Sequence, residues 1–233
     1  MTRMVMLALA ALLALAFSAC KTTSSASKFQ PVSDQDVGRL VPGQMAPINA
    51  ARDEVSRARD EVALAKLRLS EAHEHKGFTK AEETAAQADR QRAEALTKAA
   101  QSTGDPQQLG AAQAAMGSAD LRHRAAAAHA DYTAKLIAAR EAEVRAKEAR
   151  VAEMEARVES AKLTALQQAG NPAANKYDPA RFQTHLAGAI DGSQKAQGEL
   201  AKATGAVQQS ESKWRALAEQ VRVQNQGTAS GGR

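Results

Sequence analysis

The sequence has few aromatic residues, one cysteine and no long apolar run after its first twenty residues. Aromatic residues make up 3% of the 233 positions, and alanine supplies much of the 44% that are hydrophobic. Aromatic and large aliphatic side chains bury far more area than alanine, so the composition argues against a single thick globular core. The single cysteine, Cys20, excludes an intramolecular disulfide. Long helices packed closely along narrow seams fit this composition better.

Charge of one sign does not accumulate anywhere along the chain. Lys and Arg number 31 against 26 Asp and Glu, a net charge of +5, and removing Arg3 leaves 30 − 26 = +4. The two signs alternate, as in Arg52-Asp53-Glu54. Such alternation is typical of a solvated helix face with local ion pairs, so no nucleic-acid partner is expected.

Apolar residues recur every seven positions in three segments. The clearest runs from Leu109 to Ala165, where every seventh residue except His123 is apolar. A seven-residue period predicts a helix that buries one seam against partner helices. The Gly-Asp-Pro at 104–106 and the Gly-Asn-Pro at 170–172 are helix-stop signals, and the shortness of the first connection predicts an antiparallel hairpin.

The predicted fold is therefore all-α, an elongated antiparallel helical hairpin or three-helix coiled-coil bundle over residues 47–226. Its helices are expected at about 47–100, 106–169 and 179–225, followed by a disordered tail at 227–233.

The seam positions can be predicted for each helix. In the first helix a break in register is expected at Gly77, because glycine costs about 1 kcal/mol in a helix interior. Its seam is predicted at Ile48, Ala51, Val55, Ala58, Val62, Ala65, Leu69 and Ala72, and beyond Gly77 at Ala81, Ala85, Ala88, Ala95 and Ala99. In the third helix it is predicted at Phe182, Leu186, Ala189, Ser193, Ala196, Leu200, Ala203, Val207, Ser210, Trp214, Leu217 and Val221.

The N-terminus has the organisation of an exported protein. Arg3 precedes an apolar stretch from Met4 to Phe17 that is too short to span a bilayer comfortably, so residues 1–19 are predicted to be a cleaved signal peptide. Residues 20–46 are expected to form a lipidated cysteine and a flexible tether, because Lys21 to Lys28 is rich in Ser, Thr and Ala and too polar to bury. Ser33 to Asp36 can cap one short turn, which Gly38, Pro42, Gly43 and Pro47 stop from continuing.

The end of this segment, Phe17-Ser18-Ala19-Cys20, resembles the lipobox of bacterial lipoproteins. The resemblance implies that Cys20 is the lipidation site and the membrane anchor, and Lys21 directly after it implies the outer membrane. With its alanine-rich coiled-coil body, the chain resembles small helical envelope lipoproteins of proteobacteria. Residues 50–55 and 141–161 are similar to a helical domain that accompanies OmpA-type domains in some of them.

Candidate chemistry is sparse. His73 and His75 point in opposite directions on a helix and cannot share an ion, whereas His123 falls in the hydrophobic column, where fixing the register is favoured over a ligand or pH-switch role. No companions are predicted for His129 or His185. No nucleophile, phosphate-binding or dinucleotide motif occurs, and narrow helical bundles are expected to lack a concave pocket. No catalytic, cofactor or metal site and no small-molecule substrate is therefore expected.

Three classes of function fit these features to different degrees. The favoured one is a non-catalytic spacer or adaptor, anchored in the outer membrane through Cys20 and facing the periplasm, that contacts another envelope protein or itself. The alternative is a holding chaperone for unfolded envelope proteins, resembling the periplasmic helical-tentacle type. A catalytic lipoprotein is disfavoured because no site is found.

We predict that replacing Cys20 with Ala releases the protein from membranes or leaves an unprocessed precursor. By resemblance to bacterial lipoproteins, the Cys20 thiol receives a diacylglycerol and the freed amino group a third acyl chain. Alanine at position 20 has no thiol for the diacylglycerol, and more than one acyl chain is needed for stable attachment. Membrane fractionation with precursor sizing measures both outcomes. Normal processing and full membrane retention of the Cys20→Ala protein would contradict the lipoprotein assignment.

Overall fold

A computed structural model describes residues 29–230, with side chains described to Gly227. The chain divides into two units, Met1–Gln30 and Pro31–Arg233. The predicted signal peptide, Cys20 and the last three residues of the predicted tail lie outside the described residues. The helices lie in the second unit, from Pro31 onward.

Nearly all of this unit is helical. The elements are α1 (Asp34–Val37), α2 (Pro42–Thr103), α3 (Pro106–Gln168), a 3₁₀ helix (Pro172–Lys176) and α4 (Pro179–Ser230), and residues 29–230 contain no strand. The 62 residues of α2 rise by about 93 Å at 1.5 Å per residue. Helix α3 is the central element, since α2 and α4 each pack chiefly against it. The predicted all-α helical bundle is confirmed.

Local chemistry explains where the helices end. Gly104 adopts the left-handed conformation, with φ of 70°, directly after α2. The Asp105 carboxylate then accepts hydrogen bonds from the first turn of α3. Gly170, with φ of 61°, follows α3, and Asp178 accepts from the amide of Ala180 at 3.0 Å where α4 begins. The signals predicted at 104–106 and 170–172 are confirmed.

The seam between α2 and α3 holds most of the large buried side chains. Ile48 and Leu166 are completely buried, and the helices also contact each other near the turn, where Thr97 Oγ1 donates to the Ala112 carbonyl at 3.4 Å. None of the predicted seam residues between Ile48 and Ala72 is exposed. Helices α2 and α3 therefore pack along most of their length.

The predicted register break at Gly77 is wrong. Helix α2 continues through Gly77, and the residues predicted for the seam beyond it, Ala81, Ala85, Ala88, Ala95 and Ala99, are all exposed. The original seven-residue period continues instead, because one glycine with open space around it does not interrupt a helix held on both sides by packing. The buried or half-buried positions of this column are Ala72, Thr79, Ala86, Ala93 and Ala100.

The seam of α4 agrees with the prediction at every position from Phe182 to Val221, all of which are buried or half-buried. Helix α3 packs against this seam through a second buried face, which the sequence pattern did not reveal. A helix packed on two sides needs two apolar columns. The buried apolar residues of this second face are Ala125, Ala128, Ala139, Ala142, Ala146, Ala156 and Leu163.

Three predicted boundaries are corrected. Helix α2 begins at Pro42 rather than near Pro47, because Pro42 occupies the first turn and the Gln44 side chain accepts from the Val41 amide at 3.2 Å. Residues 31–46 are accordingly not a flexible tether. Helix α4 continues to Ser230, so residues 227–230 belong to a helix rather than to a disordered tail.

We predict that Leu166→Ala lowers the free energy of unfolding by about 2–5 kcal/mol, because Leu166 is 0% exposed and its removal leaves a cavity. Urea denaturation followed by circular dichroism measures the loss. Val223→Ala is the control, since Val223 is 57% exposed and should change stability by less than about 0.5 kcal/mol. Equal effects of the two substitutions would contradict the assigned core.

Candidate functional site

The predicted lipidation site, Cys20, lies outside the described residues. The structure does place the segment of residues 31–41, which we call the N-terminal strap. The strap includes α1 and lies against the C-terminal part of α3 and the 3₁₀ helix. Val32 and Val37 are buried, at 3% and 2% exposure, so the strap is part of the folded bundle.

One side of the strap is bound to α3 by a buried polar network. The amide of Val32 donates to Glu159 Oε2 at 2.7 Å. Lys162 Nζ donates to Glu159 Oε1 at 2.8 Å and pairs with Asp34 Oδ1 at 3.1 Å. Because Lys162 is itself buried, its charge needs these carboxylate partners.

The other side of the strap is bound by the segment between α3 and α4. The Tyr177 hydroxyl donates to Asp36 Oδ2 at 2.8 Å and accepts from the Ser33 amide at 3.0 Å. Lys176 Nζ adds a contact of 3.2 Å to Asp36 Oδ1. The ring of Tyr177 is buried edge-to-face against Phe182, with centroids 6.1 Å apart. The strap is thus held from two elements that are distant in sequence.

These contacts shift the pKa values of the two strap carboxyl groups and of Lys162. The hydrogen bond from Lys162 lowers the pKa of Asp34, and that from Tyr177, with Lys176, lowers the pKa of Asp36. Burial opposes the charge of Lys162, but its hydrogen bonds to Glu159 and Asp34 outweigh burial and raise its pKa. The two carboxyl groups therefore stabilise the bound strap above the ordinary Asp pKa, and this contribution is lost as the pH falls through the lowered values.

A second cluster forms where α2, α3 and α4 come together. His129 on α3 is 7% exposed and stacks on Trp214 of α4, with ring centroids 4.2 Å apart and an interplanar angle of 6°. Its Nδ1 lies 2.7 Å from Glu82 Oε2 on α2. Tyr132 stacks on Trp214 at 5.4 Å, and His75 meets the His129 ring edge-on at 5.5 Å. This cluster joins the three helices through side chains.

The prediction that His129 has no companions is wrong. Its partners come from two other helices, and only the antiparallel register could have revealed them. His185 is also not isolated, since it lines a groove between α2 and α3. His123 is half-buried in the predicted column of α3.

The expectation that the bundle lacks concave surfaces is wrong as well. Grooves of ≈ 460 and ≈ 520 Å³ flank the contact between α2 and α3 near the strap end. The first is lined by charged side chains of both signs, including Arg57, Glu61 and Arg150. Within residues 29–230, no three His, Cys, Asp or Glu side chains are arranged to hold a metal ion.

A continuous exposed face runs along α2 on the side away from α3. Its large apolar residues are Leu64, Leu67 and Phe78, which are 54%, 57% and 65% exposed. We call this surface the outer face of α2. Its positions are alternately three and four residues apart: Leu64, Leu67, Glu71, Glu74, Phe78, Ala81, Ala85, Ala88, Arg92, Ala95 and Ala99.

Between residues 29 and 230, no helix has the length and hydrophobicity needed to cross a membrane.

Comparison of the chain with protein-family models, with curated proteins and with solved structures finds no match.

We predict that Tyr177→Phe loosens the strap, because the hydroxyl both donates to Asp36 and accepts from Ser33. Losing two hydrogen bonds at a buried site should lower the local opening free energy by about 1–3 kcal/mol. Amide hydrogen exchange of residues 32–37 measures it. Tyr132→Phe removes a hydroxyl from the other aromatic cluster and should leave the strap unchanged. Unaltered exchange in the Tyr177→Phe protein would contradict the role of this hydroxyl.

Proposed function

We propose that the protein is a non-catalytic spacer or adaptor of the cell envelope, anchored in the outer membrane through lipid on Cys20 and facing the periplasm. The observation that supports this proposal best is the N-terminal strap. It fixes the chain that comes after the proposed anchor to the folded bundle through Val32, Val37 and the Lys162 network.

The strap shortens the free connection to the proposed anchor. Residues 21–31 remain between Cys20 and the buried Val32, and about eleven residues extend at most about 40 Å. The flexible tether expected from the sequence, residues 21–46, would reach about 90 Å. A short connection transmits position from the membrane to the bundle more closely than a long one.

The strap lies at one end of α2, far from the turn at the other end. The strap enters at Pro42, and the turn at Gly104 lies at the opposite end of the 62-residue helix, about 93 Å away. A partner bound toward the Gly104 turn would then be held at a set distance from the strap. This separation is what a spacer or adaptor requires.

The holding chaperone remains the second candidate because of one observation. Leu64, Leu67 and Phe78 expose apolar surface on the outer face of α2, and unfolded clients bind such surfaces. A spacer or adaptor uses an apolar face for one defined partner, whereas a chaperone uses it for many.

Two measurements separate these functions. We expect crosslinking of intact envelopes followed by mass spectrometry to recover one stoichiometric partner or the protein itself. We also expect an equimolar amount of the purified chain not to suppress aggregation of an unfolded outer-membrane protein. The Cys20→Ala chain is the control for lipid-dependent background in the aggregation assay.

A broad set of unfolded clients together with suppression of aggregation would replace the spacer with the chaperone. Recovery of the Cys20→Ala chain with the same partner at the same yield would contradict the need for an anchor.

A further inference from the structure

The outer face of α2 has the pattern of a coiled-coil seam that no other element of the described chain covers. Its exposed positions alternate three and four residues apart from Leu64 to Ala99, which keeps them on one side of a helix. The three large apolar residues on it are more than half exposed. The face therefore fits a second helix, and its side chains indicate which one.

The charged residues of this face are arranged with opposite signs at its two ends. Glu71 and Glu74 lie toward the strap end, and Arg92 lies toward the Gly104 turn. The large residues likewise lie in the first half, and the second half is mostly alanine. Acidic and large residues lie at one end of the face, and a basic residue and small residues lie at the other. When two copies pack antiparallel, each end therefore meets the complementary end of the other copy.

We propose that two copies of the protein associate through the outer face of α2 in an antiparallel pair with two-fold symmetry. The axis passes between Ala81 and Ala85. Every layer then pairs a large or charged residue with a small or oppositely charged one, or two alanines: Leu64 with Ser102, Leu67 with Ala99, Glu71 with Ala95, Glu74 with Arg92, Phe78 with Ala88, and Ala81 with Ala85.

Other arrangements of the same two helices are worse. A parallel pair in register would place Glu71, Glu74 and Arg92 each against its own copy, which creates like-charge contacts. Sliding the antiparallel pair by one heptad sets Arg92 against Leu67 in one direction and against Ala81 in the other, so Glu74 loses its partner. The arrangement with Glu74 opposite Arg92 is the one that pairs the charges.

In the proposed pair, the outer face begins where the α2 helix of the second copy ends. In the proposed pair, the residue opposite Leu64 is Ser102, one residue before α2 ends at Thr103. Before Leu64 the same column of α2 becomes charged and exposed, at Asp53, Arg57 and Asp60. The three positions before Leu64 are thus all charged, whereas the stretch that a partner helix covers is mostly apolar.

The size and chemistry of the face favour a protein partner over a lipid surface. The stretch from Leu64 to Ala99 is about 54 Å long, and a strip roughly 10 Å wide gives on the order of 1,000 Å² for two copies. That area is near the lower limit for a specific interface, so association should depend on concentration. Carboxylates at Glu71 and Glu74 within the strip oppose insertion into a membrane.

The proposal does not depend on lipidation, and charge reversal tests it on the full chain in a nonionic detergent. Glu74→Arg sets Arg against Arg92 twice in each dimer, and Arg92→Glu sets Glu against Glu74 twice. Each single change should raise the dimer Kd on the order of tenfold or more, and the double change should restore it, because the pairs are re-formed with the signs exchanged. Sedimentation at several concentrations measures the Kd.

Asp53→Arg is the matched control, since Asp53 lies in the same column beyond the end of the partner helix and should leave the Kd unchanged. Circular dichroism verifies that each variant is folded. A monomer at all concentrations, no effect of the single changes or no restoration by the double change would overturn the proposal. If a different envelope protein bound this face and displaced the second copy, the face would be assigned to that protein and the proposal would be overturned.

Spin labels test the direction of the pair independently. In a Cys20→Ala background, a label at Ala99→Cys lies about sixteen residues from the axis, so two labels should be separated by about 48 Å along the helices. Two labels at Ala85→Cys should lie about 42 Å closer together along the helices than the two labels at position 99. Short distances at both positions would indicate a parallel pair and would overturn the antiparallel arrangement.

Discussion

Packing on two faces of α3 is the constraint on which the rest of the structure depends. Its first face meets α2 through Ile137, Val144 and Val158, and its second face meets α4 through residues that are mostly alanine. Alanine buries little area per residue, so each turn contributes little and only long helices accumulate enough. This requirement explains helices of 62, 63 and 52 residues in a chain with few aromatic side chains.

The sequence identifies a seam wherever large residues occur on one side of a helix only. In α4 every predicted position from Phe182 to Val221 is buried or half-buried, because most of the large apolar residues of this helix lie in the two predicted columns. In the second half of α2 alanine lies on both sides, so Ala85 and Ala86 cannot be distinguished by composition. Only the partner helix determines that Ala86 is packed and Ala85 exposed.

Contacts between segments far apart in sequence were not predictable. The strap contains glycine and proline, which favoured a loop, yet Val32 contacts Glu159 and Asp36 contacts Tyr177. His129 lies on the second face of α3, whose existence depends on where α4 packs. Each of these interactions requires the register of the folded bundle, which a single sequence constrains only through its turns.

The strap and the outer face of α2 together have a geometric consequence for the two proposals. The strap joins α2 at Pro42, about 62 Å from the proposed two-fold axis, so the straps of an antiparallel pair lie about 120 Å apart along the helices. Two lipid anchors at that separation cannot share one small patch of membrane with the helices upright. If both proposals hold, a dimer anchored at both ends either lies along one membrane or connects two surfaces, whereas a monomer has a single anchor. Dimerisation through α2 would thus change what the spacer connects without changing the fold of either copy.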